Sequence, residues 1–91
     1  MEIGTPTLLV IDPDSASRTY LAVTLRKSDF SVILAGSGKE GLILAWQSQP
    51  ALILFDPTLP DMKGIELLAR LRADRRTARA GPPAPAGPGH A

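Results

Sequence analysis

The chain has 91 residues, a formal net charge of +1 and no cysteine. That length bounds it to one small domain with a marginal core, and the charge gives no general pull toward nucleic acid or membrane. Disulfides and thiolate metal sites are excluded, and every apolar run is far too short to span a membrane.

Thr7-Leu8-Leu9-Val10-Ile11 is continuously apolar and ends in Asp12-Pro13-Asp14. It reads as a strand closed by a proline that fixes a turn. Asp14 or Ser15 can cap a helix over residues 16–27, with Leu21, Ala22 and Leu25 on its buried stripe. Residues 30–35 form a shorter, less uniform strand, suited to a sheet edge. Gly36-Ser37-Gly38 turns the chain, with Ser37 as N-cap of a helix over 39–49 whose Leu42, Ala45 and Trp46 face inward. Pro50 ends it. Leu52-Ile53-Leu54-Phe55 is a third apolar strand, expected to be buried on both faces, and it also ends in an acid, Asp56. After Gly64, residues 65–72 read as a helix with Ile65, Leu68 and Leu71 on one face.

The βαβαβα alternation predicts a doubly wound parallel sheet with helices on both faces. Strand order 2-1-3 puts the most uniformly apolar strand in the centre and makes strands 1 and 3 neighbours. Asp12 and Asp56 then lie together at the carboxyl edge, where the strand order reverses and ligands bind in open α/β sheets. Carboxylates gathered there repel one another and favour a cation. The donors on offer are Asp12, Asp14, Asp56 and carbonyls of residues 57–59, all hard oxygens suited to Mg²⁺ or Mn²⁺. A carboxylate beside such an ion can attack a phosphoryl group. The alternative is three unrelated aspartates serving as caps and turn formers.

The stretch Asp56-Pro57-Thr58-Leu59-Pro60-Asp61-Met62-Lys63-Gly64, with Asp12 and Arg18 upstream and Ala35-Gly36-Ser37-Gly38-Lys39-Glu40-Gly41-Leu42 between, resembles the receiver domain of bacterial response regulators. The resemblance covers residues 7 to about 80 and implies a flavodoxin-like fold. It implies that Asp56 is the phosphoacceptor of a two-component phosphorelay, supplied by a histidine kinase or phosphotransfer protein. It also implies Mg²⁺ in the acidic pocket with the Thr58 carbonyl as a ligand, and a signalling module rather than an enzyme. The N-terminus, with no basic region followed by a long apolar one, does not read as a signal peptide, so a cytoplasmic protein is expected. Two departures stand out. Pro13 occupies the family's second acidic position, which weakens the expected metal site. The family also has a fourth and a fifth strand, which supply a phosphate-sensing Ser or Thr and a Lys. Here residues 81–91, rich in proline and glycine, follow instead and read as a disordered tail. Residues 5–80 are thus expected to form a C-terminally truncated receiver. The outer edge of its third strand would lie open to self-association or to a partner chain. Without its sensing residues, such a module could also serve only for protein interaction.

Two further signals compete. Gly36, Gly38 and Gly41 spell GxGxxG between a strand and a helix, with Asp56 near the place of an acidic ribose partner, which would make the site dinucleotide-binding. The motif follows an edge strand rather than the first, central one, and a glycine-rich turn explains it. Half of the ten basic residues fall within 70–79. With no aromatic interleaving, this run reads as the solvated end of a helix and not as a nucleic-acid contact.

Overall fold

The computed structural model describes residues 5–78. The expected disordered tail, 81–91, lies outside the described residues. Six elements alternate: β1 (Thr7–Ile11), α1 (Ser15–Leu25), β2 (Ser31–Ala35), α2 (Gly38–Ser48), β3 (Leu52–Phe55) and α3 (Gly64–Ala73). The strands form one parallel sheet in the order β2-β1-β3, with Leu9 paired to Ile33 on one side and to Ile53 on the other. This is the predicted topology of a partial flavodoxin-like fold, and among the described residues it has three strands.

Strand side chains alternate between two faces. Leu9, Ile11, Ala35 and Ile53 point toward Leu42 and Ala45 of α2 and Leu67 and Leu71 of α3, and these residues form the main buried cluster. Leu8 and Val10 are buried on the opposite face, where α1 packs against β2. At roughly 1.5–3 kcal/mol per buried large aliphatic side chain, the cluster supplies most of the driving force available to so small a domain.

Two expectations need correction. β3 is not buried on both faces: Ile53 is fully buried, whereas Leu54 is 39% exposed. Helices α2 and α3 cover one side of β3, while α1 sits toward β2 and leaves Leu54 open. Helix α3 is also rotated from the expected face: Leu71 is buried as expected, but its buried partner is Leu67, Leu68 is only half-buried and Ile65 is 77% exposed. The cause is the way the helix starts. Gly64 donates its amide to the Pro57 carbonyl at 2.9 Å, and a Cβ there would lie 2.9 Å from Pro57 Cα and 3.0 Å from Phe55 Cε1. That close approach fixes the rotation of α3, and the i, i+4 pair Leu67/Leu71 then meets the sheet.

Local sequence sets the helix ends. Asp14 caps α1 and Ser37 caps α2, both as expected. Helix α2 stops at Gln49, which adopts a left-handed conformation (φ 48°) just before Pro50. After α3 the chain folds back: the buried Thr77 hydroxyl donates to the Leu71 carbonyl at 2.6 Å, and Arg76 stacks over Trp46. Arg76 pairs with Asp74 and Arg70 with Glu66, so two cations of the basic stretch are balanced within the chain.

Candidate functional site

The site grows out of the ends of β1 and β3. The Asp56 amide donates to the Ile11 carbonyl and the Asp12 amide to the Ala35 carbonyl, each at 3.0 Å. Both aspartates therefore continue the strand ladders by one residue before the chain turns away. Because Ile11 pairs with Phe55, Asp12 and Asp56 follow at the same level on adjacent strands. Both are half-buried and line a cavity of about 310 Å³ with Val10, Leu21, Leu54 and Pro57. Apart from the two aspartates, the residues that line it are apolar.

Each carboxylate is held by its own turn. Asp56 Oδ1 accepts the Thr58 amide at 2.8 Å, and Asp12 Oδ1 accepts the Asp14 amide at 2.9 Å. Each bond occupies one oxygen and sets the rotation of the group, which is how an Asx turn works. Arg18 reaches back from α1 and donates from Nη1 to the Asp12 carbonyl at 2.7 Å. A Cβ at Gly36 would fall 2.8 Å from that nitrogen, so glycine leaves room for the guanidinium.

Asp14 is placed differently. Its Oδ2 accepts the Ser17 amide at 2.9 Å and the Ser17 hydroxyl at 2.7 Å. The hydroxyl first and the amide second hold its carboxyl below the usual carboxylate value. The charged cap is fully formed above the ordinary carboxylate range and is lost as pH falls through the lowered value. Asp14 thus caps α1, and among the described residues no three acidic or histidine side chains cluster closely enough to enclose a metal.

The loop 57–63 completes the site. Thr58 and Lys63 form an isolated antiparallel bridge, and Leu59 is buried in the core. Asp61 reaches across to the start of α2, where it accepts two backbone amides. Nothing in the local sequence points to this role for Asp61. Its partners are 22 and 23 residues away, and no local pattern reports such a contact.

The GxGxxG stretch is explained by packing. The amides of Gly38 and Lys39 at the start of α2, which a dinucleotide phosphate would require, are bound by Asp61. A Cβ on Gly38 would meet Met62, and one on Gly41 would meet Ile11. Gly38 and Gly41 let α2 approach the loop and the sheet, and the dinucleotide reading falls.

A sequence model described as the response regulator receiver domain matches residues 8–80. The chain belongs to the response regulator receiver family. Receiver relatives include the transcriptional regulatory protein AfsQ1 of Streptomyces coelicolor, 40% identical over 67 residues, or 74% of this chain and 30% of that protein. The DNA-binding dual master transcriptional regulator RpaA of Synechocystis is 40% identical over 73 residues, again 30% of its length. Histidine kinase P4 of Formosa agariphila also contains a similar stretch, 34% identical over 71 residues and 5% of its length. Among solved structures, the chemotaxis response regulator CheY4 of Vibrio cholerae superposes with a TM-score of 0.76 at 25% identity, covering 79% of this chain and 60% of that one. The N-terminal domain of a response regulator receiver protein from Methanoculleus marisnigri gives 0.75 at 31% identity, covering 81% and 59%. The receiver described here therefore spans about 30% of the length of the curated regulators it matches first. Among its described residues no helix is long and apolar enough to cross a membrane.

Proposed function

We propose that Asp56 is the phosphoacceptor of a two-component phosphorelay. The observation that carries this reading is its place at the carboxyl end of β3, level with Asp12, with one carboxylate oxygen fixed by the Thr58 amide. The second oxygen makes no hydrogen bond among the described residues and is the nucleophile. It attacks the phosphorus of a phosphohistidine on a histidine kinase or phosphotransfer protein. The O–P bond forms as the N–P bond breaks, and the imidazole nitrogen keeps the electron pair. Fixing the carboxylate before the donor docks removes a rotational cost from this step.

Asp12, Asp56 and the Thr58 carbonyl form an oxygen-only donor set whose chemistry fits Mg²⁺. A cation bound there supplies positive charge against the transferring phosphoryl oxygens. Asp14 joins the set only by giving up its cap on α1, and Pro13 contributes no side-chain oxygen, so binding is expected to be weak. Arg18 steadies the Asp12 backbone from the side away from β3.

Incubation with acetyl phosphate and Mg²⁺, followed by intact mass measurement, tests the assignment. The expected result is a single phosphoryl adduct that disappears in Asp56→Asn. Absence of an Asp56-dependent adduct would leave the second reading, a receiver-derived interaction module that no longer accepts phosphate, which Pro13 favours.

The outer edge of β3 has no strand partner among the described residues, and Leu54 beside it is exposed. We propose that a second chain adds there, either another copy or a partner. Sedimentation of the 91-residue chain is expected to show association that rises with concentration and weakens in Leu54→Lys. A strictly monomeric chain at every concentration, with no strand-adding partner, counts against it.

A further inference from the structure

The first turn of α2 is capped from two sources. Ser37 Oγ accepts the Glu40 amide at 3.1 Å, and Glu40 Oε1 accepts the Gly36 amide at 2.7 Å. This reciprocal pair is local and serves the helix by itself. The amides of Gly38 and Lys39 go to Asp61 instead, on Oδ1 and Oδ2 respectively, both at 2.8 Å. A carboxylate spread across two amides at a helix N-terminus makes charge-assisted bonds with a favourable dipole. Met62 packs against the same turn, since a Cβ on Gly38 would lie 2.6 Å from Met62 Cγ.

The contacts form a closed circuit. From Asp56 the chain runs through Thr58, bridged to Lys63, and between them Asp61 grips α2. Helix α2 is seated on β1 through Gly41 against Ile11, and Ile11 is followed directly by Asp12. The loop that carries Thr58 is thereby tied to the strand that carries the second carboxylate. We infer that Asp61 is a positioning residue. Its two bonds to the start of α2 hold the loop 57–63, and with it Thr58, in register with Asp12 and Asp56.

The Ser37 and Glu40 bonds do not involve Asp61, so the effect of removing Asp61 is expected to fall mainly on the loop. The Lys39 amide first and the Gly38 amide second hold the Asp61 carboxyl below its usual value, as expected of a carboxylate bound in its charged form.

The role of Asp61 in catalysis rests on the phosphoacceptor reading of Asp56, whereas its hold on the loop does not. Two measurements on the full chain separate them, each made on the parent, Asp61→Ala and Asp61→Asn. The first is amide hydrogen exchange resolved by nuclear magnetic resonance. The second is the rate of phosphoryl incorporation from acetyl phosphate with Mg²⁺. In Asp61→Ala, exchange at Thr58 is expected to quicken about tenfold or more while amides in the middle of α2 keep their protection. Incorporation is expected to slow by about tenfold to a hundredfold. Asp61→Asn, which keeps one acceptor, falls between. Unchanged Thr58 exchange in Asp61→Ala overturns the inference, and so does an equal loss of protection across α2, which would mark Asp61 as a plain cap. If the parent itself takes no phosphoryl group, the phosphoacceptor reading fails and the exchange measurement still decides what Asp61 holds.

Discussion

Leu67→Ala is expected to destabilise the chain by about 2–5 kcal/mol, read from chemical or thermal unfolding followed by circular dichroism. Leu67 is fully buried and belongs to the cluster in which α2 and α3 meet Leu9, Ile11 and Ile53. Truncation removes apolar contacts and leaves a cavity that the surrounding helices fill only in part. A domain of this size has about 4–11 kcal/mol in total at roughly 0.05–0.15 kcal/mol per residue, so this loss is a large share of the whole. Ile65→Ala is the control. It lies two residues away on the same helix, is 77% exposed, and is expected to change stability by no more than about 0.5 kcal/mol. The pair tests the rotation of α3 directly. If Ile65→Ala proves the costlier change, the helix faces the sheet with the other stripe and the packing described above is wrong.

The difference between those two residues shows where sequence reasoning reached its limit. Uniform apolar runs ending in Asp12 and Asp56 were enough to give three parallel strands, their order and the meeting of the two acids, because burial and crossover rules leave few arrangements. In a stretch as rich in apolar residues as Ile65-Glu66-Leu67-Leu68-Ala69-Arg70-Leu71, both i, i+3 and i, i+4 stripes can be drawn. The choice was made by the contact of Gly64 with Pro57 and Phe55, which is tertiary. Leu54 misled for a related reason: an apolar residue in a strand reports that cover is favourable, not that a helix is there to provide it. Asp14 can serve chemically as ligand or as cap, and the bonds to Ser17 that make it a cap are not distinguishable in the sequence from a ligand's role. Asp61 and the α2 amides were each visible as residue types, but nothing local connects positions 22 and 23 residues apart.

Gly41→Ala puts two opposing effects against each other, and their sizes decide the outcome. Alanine is favoured over glycine inside a helix by about 1 kcal/mol. Against this, the new Cβ would lie 2.3 Å from Ile11 Cδ1, 2.8 Å from Cγ1 and 3.2 Å from Cγ2. Relief by a swing of the terminal methyl alone does not suffice, because the branched part of the side chain is also in the way and is stiff about χ1. Ile11 is itself fully buried, so it has no open space to move into. Overpacking of this kind costs about 1–3 kcal/mol, so the net result expected is a loss, larger still for Gly41→Val. Ile11→Val removes Cδ1, and the double variant Gly41→Ala with Ile11→Val is expected to be more stable than the sum of the single losses predicts, by roughly 0.5 kcal/mol or more. Strict additivity would place the strain elsewhere. The same cycle bears on the site, because the Ile11 carbonyl accepts the Asp56 amide and Ile11 is followed in the chain by Asp12. A displaced Ile11 moves the backbone between the two carboxylates. Phosphoryl incorporation at Asp56 should therefore fall in Gly41→Ala and recover in part with the double variant, in step with the partial recovery of stability.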